Sequence, residues 1–263
     1  MDRLDGADEV RIGSQAAIAL PRPLSLAGLT LSLFAIAAAA LLLCSAVAAV
    51  TIIVAVGLLG RDGATDLLQQ LKFDLLLKER VGAAVVSLVY IGLAIATLGA
   101  AAWRGGRGWR DLVALRSIRP AWPVWRDVLG IAALTLAYIG LSTYAVEHVR
   151  DRSLLVSGPT DVLLFGTIVA NLVILAPVAE ELLFRGWLYT ALRSRFSFWP
   201  SFLPTLIAFA AIHFDAEHPR VVQVLPLAVA LGLLRERAGS IKPTIALHAV
   251  YNLVIISIRL AYT

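Results

Sequence analysis

The stretch "LAPVAEELLFRG", residues 175–186, places Glu180, Glu181 and Arg185 at the end of a long apolar run. A charge at the centre of a bilayer costs roughly 2.5–3.5 kcal/mol, so three of them together need a reason. Residues four apart on a helix share a face, whereas adjacent residues point about 100° apart. We therefore expect Glu181 to pair with Arg185, which leaves Glu180 without a local partner, as suits a general base or acid. Pro177 predicts a kink that opens a polar space. The alternative is a charge cluster at the cytoplasmic end of a helix.

The composition around this stretch is that of an integral membrane protein. The chain has 263 residues, of which 59% are hydrophobic and 16% charged, and its mean hydropathy is +0.83. A soluble domain of this size cannot bury so much apolar side chain, which excludes a soluble enzyme. We predict an all-α, polytopic transmembrane helical bundle with about seven spans, within a range of six to eight. The candidate spans are 26–59, 81–102, 127–146, 162–179, 199–214, 221–235 and 241–262.

The predicted borders raise a conflict about the height of the charges in the membrane. Strict alternation of the spans leaves Glu180 near the cytoplasm and carries His213 toward the far side. Either the helix of the quoted stretch continues beyond residue 179, or the segment 199–214 does not fully cross.

Basic residues are concentrated in one loop, residues 103–126, with six arginines and one aspartate between tryptophans. This pattern is typical of a cytoplasmic loop with interfacial aromatic anchors, so the net charge of +5 is no sign of nucleic-acid binding. Residues 1–24 form a polar N-terminal segment. In residues 61–80, leucines at helical spacing alternate with charges. They predict an amphipathic helix on the membrane surface or, as the alternative, a connector in solvent.

Two further motifs place histidines in apolar helices. Phe209 and His213 are four residues apart, as are His248 and Asn252, so each pair shares a helix face. Hydrogen bonding at the interface or between helices explains each motif taken alone. Ionisable residues inside membrane segments are nevertheless functional candidates, and three helices with inward polar faces make a site.

The ordered motifs E-E-x-x-x-R, F-x-x-x-H and H-x-x-x-N resemble the CAAX prenyl endopeptidase and bacteriocin-processing (CPBP, or Abi) family of intramembrane proteases. The resemblance covers roughly residues 160–260, including Gly232 and a basic turn before the last motif. It implies a catalytic transmembrane region at 160–262, after a variable transmembrane region at 25–150 that contains the basic loop.

The resemblance also implies roles for the residues of the motifs. Glu180 and His213 would activate a water, and His248 and Asn252 would stabilise the oxyanion. Glu181 and Arg185, with Phe209 beside them, would hold the site in shape. Such donors suit this chemistry in general.

Whether a metal takes part stays open at the level of sequence. Glu180, His213 and His248 are an acceptable zinc set with a fourth position for water, but the pattern H-E-x-x-H is absent. The cofactor is therefore either none or Zn²⁺, with a slight preference for none, and the enzyme is either a glutamate-type protease or a metalloprotease.

We interpret the chain as an intramembrane endopeptidase of a bacterial or archaeal cell membrane, with its site open to the cytoplasm. The expected partners are membrane lipid and a peptide or membrane-associated protein substrate. The alternatives are a non-catalytic scaffold or immunity protein and a proton-coupled transporter. Against a transporter, the sequence contains no inverted repeat.

Overall fold

The structure is a computed structural model that describes residues 22–118, 122–149, 161–214 and 220–261. Within these ranges the chain forms helices and turns, and no described residue lies in a strand, which confirms the all-α prediction. Residues 1–21 of the polar N-terminal segment and residues 119–121 of the basic loop lie outside the described residues. The main helices are α1 (Leu26–Phe73), α2 (Leu75–Gly105), α3 (Trp122–Val149), α4 (Val162–Arg193), α5 (Phe198–Ala211), α6 (Arg220–Ala238) and α7 (Lys242–Ala261).

Two sequence features determine the shape of the first helical pair. Gly60 lies inside α1 with a φ of +71°, a conformation that glycine adopts without the penalty of a side chain, and α1 kinks there. Asp74 ends α1, and its carboxylate accepts a hydrogen bond from the Leu77 amide at 3.0 Å to cap α2. Of the amphipathic helix predicted at 61–80, residues 61–73 are helical after the kink at Gly60, but Asp74 ends this helix and the remaining residues belong to α2.

The helix that carries the glutamates is continuous across the predicted border at residue 179. It runs from Val162 to Arg193 over 32 residues, or about 48 Å. Helix α5 has only 14 residues, about 21 Å, which is shorter than the hydrocarbon core of about 30 Å. The continuous α4 and the short α5 together resolve the conflict about the heights of Glu180 and His213. Glu180 lies well inside α4, and the chain after the short α5 places His213 at the same height as Glu180.

Three helical stretches are long and apolar enough to cross a membrane, namely Leu26–Gln70, Leu75–Leu112 and Val162–Arg193. Among the described residues, the shorter apolar stretches are Leu129–Tyr138, Phe198–Ala211 and Lys242–Ile258. Length and composition thus support a membrane-embedded helical bundle. The number of about seven spans stays a prediction.

The arginine-rich connections meet at one end of the bundle. Arg104 and Arg195 donate to the carbonyls of Arg22 and Pro23, just before α1 begins. At the same end, Arg116 Nε donates to the Gly239 carbonyl at 2.8 Å. This end of the bundle is called the basic end below.

The opposite end is marked by one exposed pair. Arg80, near the start of α2, hydrogen-bonds to Asp161, which caps the start of α4 by accepting from the Leu163 and Leu164 amides. The Arg80 guanidinium holds the pKa of the Asp161 carboxyl below its usual range. Helices α2 and α4 therefore start at the same end and run parallel.

Candidate active site

Helix α4 changes its winding on both sides of the two glutamates. Residues Asn171–Leu175 and Leu182–Leu188 are π-helical, and the α-helical turn Ala176–Glu181 lies between them. Such widened turns occur often at functional sites because they redirect side chains and free backbone groups. The two glutamates therefore lie on a short, locally reoriented piece of a long helix.

Pro177 accounts for one consequence of the first widened turn. The Ala176 amide donates to the Asn171 carbonyl, five residues back. The next donor in this pattern, toward the Leu172 carbonyl, would be Pro177, which has no N–H. Nδ2 of Asn252 on α7 donates to that carbonyl instead, at 2.6 Å. The polar group freed by Pro177 is thus satisfied by the third motif.

Glu181 and Arg185 form the ion pair that their spacing predicts. Nη1 of Arg185 donates to Oε1 of Glu181 at 2.8 Å, and both side chains are almost completely buried. Arg185 also donates to the Ala228 carbonyl of α6 at 3.3 Å, and its guanidinium lies 4.0 Å from the centre of the Phe209 ring. This pair therefore anchors α4 to both α5 and α6.

Phe209 is fully buried at the centre of the three motifs. Its ring lies 4.8 Å from the ring of His213 and 5.8 Å from that of His248, measured between centroids. It also packs edge-on against Phe184 at 5.4 Å. Phe209 thus sets the distance between the two imidazoles and Arg185 by packing.

His213 has a defined tautomer because of the carbonyl one turn before it. Its Nδ1 lies 2.8 Å from the Phe209 carbonyl oxygen, which can only accept, so Nδ1 carries the proton. In the neutral ring Nε2 is then unprotonated, and it lies 4.0 Å from Oε2 of Glu180. A basic nitrogen therefore faces the glutamate.

His248 lies between the two adjacent glutamates. Its Nδ1 is 3.3 Å from Oε1 of Glu181, and its Nε2 is 4.0 Å from Oε2 of Glu180. Oε2 of Glu180 is buried and has no hydrogen-bond partner among the described residues. One unsatisfied carboxylate oxygen thus faces two imidazole nitrogens at equal distances.

These distances suit a bridging water. At 4.0 Å, Oε2 of Glu180 is too far from either Nε2 for a direct hydrogen bond. A water about 2.8 Å from each of two atoms can bridge a separation of about 4–5.5 Å. The site therefore has the polar groups and the spacing to hold a water at Glu180.

The donor set matches zinc in kind but differs from a zinc site in spacing. Tetrahedral ligand atoms about 2.1 Å from zinc lie about 3.4 Å from one another. Glu180 is 4.0 Å from each histidine nitrogen. Among the described residues, no three His, Cys, Asp or Glu side chains form a group that could hold a metal ion. We therefore derive no step through a metal.

Comparison with known families gives a match for the part of the chain that carries these residues. Residues 162–254 match a family described as type II CAAX prenyl endopeptidase Rce1-like. We call this matched segment the Rce1-like domain below. The match covers about a third of the chain, from the start of α4 into α7, and contains all three motifs. No curated protein and no solved structure gave a match.

The match confirms the resemblance that the motifs predict. The Rce1-like family is described as an endopeptidase family, so the match implies a hydrolase. Helices α1–α3 precede the matched residues, and the subdivision of the chain at 25–150 and 160–262 stays a prediction.

Two further side chains, which the sequence motifs do not include, interact electrostatically with the glutamates. The hydroxyl of Thr244, on α7 and fully buried, interacts with the Glu181 carboxylate. The hydroxyl of Tyr90, on α2 and outside the Rce1-like domain, interacts with the Glu180 carboxylate. Thr244 lies four residues before His248 and shares its helix face, a signal that the sequence did offer.

Proposed function

We propose that the chain is an intramembrane endopeptidase in which Glu180 and His213 activate a water for attack on a peptide carbonyl. The observation that carries this proposal is the approach of two imidazoles, both at 4.0 Å, to one buried carboxylate oxygen of Glu180. A general base needs to reach the water directly or through one more water, and this spacing permits it.

The hydrolytic step uses a single water. Glu180 accepts one proton from it as its oxygen bonds to the scissile carbon, and Nε2 of His213 accepts a hydrogen bond from its other O–H group. The carbonyl π electrons move onto oxygen. When this tetrahedral intermediate collapses, the carbon–nitrogen bond breaks, and the proton passes to the leaving amine. The products are a carboxylic acid and an amine, and the acid then loses its proton to the amine or to solvent.

His248 and Asn252 are the proposed donors to the oxyanion. The Glu181 carboxylate accepts from Nδ1–H of His248, so Nε2 faces the side of Glu180. When the ring carries a proton on both nitrogens, its Nε2–H can donate to the developing charge. The amide nitrogen of Asn252 carries two N–H groups, and one is held by the Leu172 carbonyl. Donors positioned before the reaction stabilise such an oxyanion strongly.

Glu181, Arg185 and Phe209 are the proposed supports of the site. Their buried ion pair and ring contacts hold α4, α5 and α7 at the distances described above. A buried pair of this kind restricts geometry more reliably than it adds stability.

We place the basic end of the bundle in the cytoplasm, because arginine and lysine near membrane spans mark that side. The substrate would be a peptide or a membrane-associated protein that reaches the site from the bilayer. The family description favours a prenylated C-terminal CAAX segment as the substrate.

The test uses purified protein in lipid nanodiscs with an internally quenched peptide that ends in a farnesylated C-A-A-X tetrapeptide. We expect cleavage by the wild type and no cleavage by Glu180→Gln or His213→Ala. The same peptide without the farnesyl group measures how much the lipid contributes to KM.

Membrane proteomics on cells with wild-type protein or Glu180→Gln tests the broader claim. An uncleaved precursor that accumulates only with the variant identifies the natural substrate. Normal cleavage by Glu180→Gln would contradict the proposal and favour a scaffold role, whereas Glu180-dependent proton flux into vesicles without cleavage would favour a transporter.

A further inference from the structure

Helix α2 forms a wall of the site although it lies outside the Rce1-like domain. It packs along α4 from the first residues of that helix to the segment Leu182–Leu188. Hydrogen bonds also connect α2 to α4. Oγ of Ser87 donates to Oδ1 of Asn171 at 2.7 Å, and Nδ2 of Asn171 donates to the Ala83 carbonyl at 2.9 Å.

These contacts define which face of α2 is turned to the glutamates. Ala83, Ser87, Tyr90, Ala94 and Thr97 succeed one another at steps of four and three residues, so they lie on one face. Ala83 and Ser87 contact α4, and Thr97 on the same face is fully buried. Tyr90 lies between them and must also point toward α4.

Tyr90 reaches Glu180 from this face. Its side chain is partly buried, and its hydroxyl interacts with the Glu180 carboxylate. Oε2 of Glu180 has no hydrogen-bond partner among the described residues, so this carboxylate has capacity for another donor. A phenol can donate one hydrogen bond, and Tyr90 of α2 is placed to supply it.

We propose that Tyr90 is a positioning residue of the site, whose hydroxyl donates to the Glu180 carboxylate and holds it toward His213 and His248. This inference rests on the proposed function of Glu180. It gives α2 a part in the reaction: α2 fixes the rotamer of the base, while the turn after α5 and helix α7 supply the imidazoles.

The test compares the kinetics of Tyr90→Phe with the wild type, with the farnesylated quenched peptide in nanodiscs. The substitution keeps the ring and removes only the hydroxyl. We expect kcat to fall about tenfold to a hundredfold, as for a lost hydrogen bond to a charged group, with KM and the melting temperature unchanged. Tyr138→Phe, at an exposed tyrosine of α3, is the matched control and should keep wild-type kcat.

A double-mutant cycle separates positioning from a general structural effect. Glu180→Asp withdraws the carboxylate by one methylene, so Tyr90→Phe in that background should lower kcat less than about threefold. Equal losses in both backgrounds, or a wild-type kcat for Tyr90→Phe, would overturn the inference while leaving the proposed function intact. Absence of Glu180-dependent cleavage by the wild type would overturn both.

Discussion

Nδ1 of His248 lies 3.3 Å from Oε1 of Glu181, the same oxygen that accepts a hydrogen bond from Arg185 at 2.8 Å. The spacing of four residues in the sequence predicts one partner for Glu181, an ion pair with Arg185. In the structure this carboxylate also orients the imidazole of another helix. The two adjacent glutamates therefore have different proposed roles. Glu180 faces the expected water, whereas Glu181 pairs with Arg185 on α4 and orients His248.

Glu181→Gln is expected to lower kcat about tenfold to a hundredfold, because a neutral amide holds His248 and Arg185 less firmly than a carboxylate does. The loss should appear in kcat more than in KM, measured with the farnesylated peptide. Glu236→Gln is the matched control, since that carboxylate bonds Tyr189 and Arg193 at a partly exposed position. A wild-type kcat for Glu181→Gln would remove the orienting role.

Arg185→Ala is expected to lower stability as well as activity. It leaves the buried Glu181 carboxylate without its cation, and breaking a buried pair costs about 3–5 kcal/mol. Glu180→Gln should keep the wild-type melting temperature, because it removes a charge that has no ion-pair partner on its own helix. Thermal melting in one detergent compares the two variants.

Arg193→Ala provides the control for the loss of an arginine from the same helix. Its pair with Glu236 is about one third exposed, so its loss should cost less than about 1 kcal/mol. If Glu180→Gln melted well below Arg185→Ala, the division into a catalytic and a structural glutamate would be wrong.

The sequence could predict the part of the site geometry that depends on the spacing of residues within one helix. Glu181 with Arg185 and Phe209 with His213 are four residues apart, and helical periodicity alone brings each pair together. The meeting of Glu180 with His213 and His248 is a tertiary contact. Helical periodicity cannot predict this contact, because the three side chains come from separate segments of the chain. Only the order of the motifs, through the family resemblance, predicts that they meet.

Other features depended on backbone detail that periodicity does not encode. Pro177 predicts a kink in α4, but the helix widens into a π-helical turn just before this proline and remains continuous. That widening frees the Leu172 carbonyl for Asn252. Tyr90 was missed because an isolated tyrosine in an apolar helix gives no signal until its neighbours on the same face are known to contact α4.

Gly232→Ala is expected to destabilise the protein, because α5 and α6 meet there without space for a methyl group. A Cβ at Gly232 would lie 2.4 Å from a ring carbon of Phe202, which is itself buried. Overpacking of this kind costs typically 1–3 kcal/mol. A lower melting temperature in detergent should report it.

Gly166→Ala on α4 is the matched control for this substitution. A Cβ at Gly166 meets no atom within 4 Å, and alanine favours the helix by about 1 kcal/mol. We expect its melting temperature to equal or exceed that of the wild type. If Gly232→Ala behaved in the same way, the close packing of α6 against Phe202 would be contradicted.

Zinc content is expected to be substoichiometric in the purified protein, and chelators should leave cleavage of the farnesylated peptide unchanged. The reason is the spacing of the donors, since Oε2 of Glu180 lies 4.0 Å from each imidazole nitrogen rather than the about 3.4 Å of a tetrahedral site. Mass spectrometry of the metal and a chelator titration measure the two quantities, and added zinc after chelation should not raise kcat.

One zinc per chain in the wild type, lost in a His213→Ala and His248→Ala double variant, would contradict this expectation. The side chains would then have to close by about half an ångström around the ion, and the water would be activated by a metal rather than by Glu180 and His213 alone.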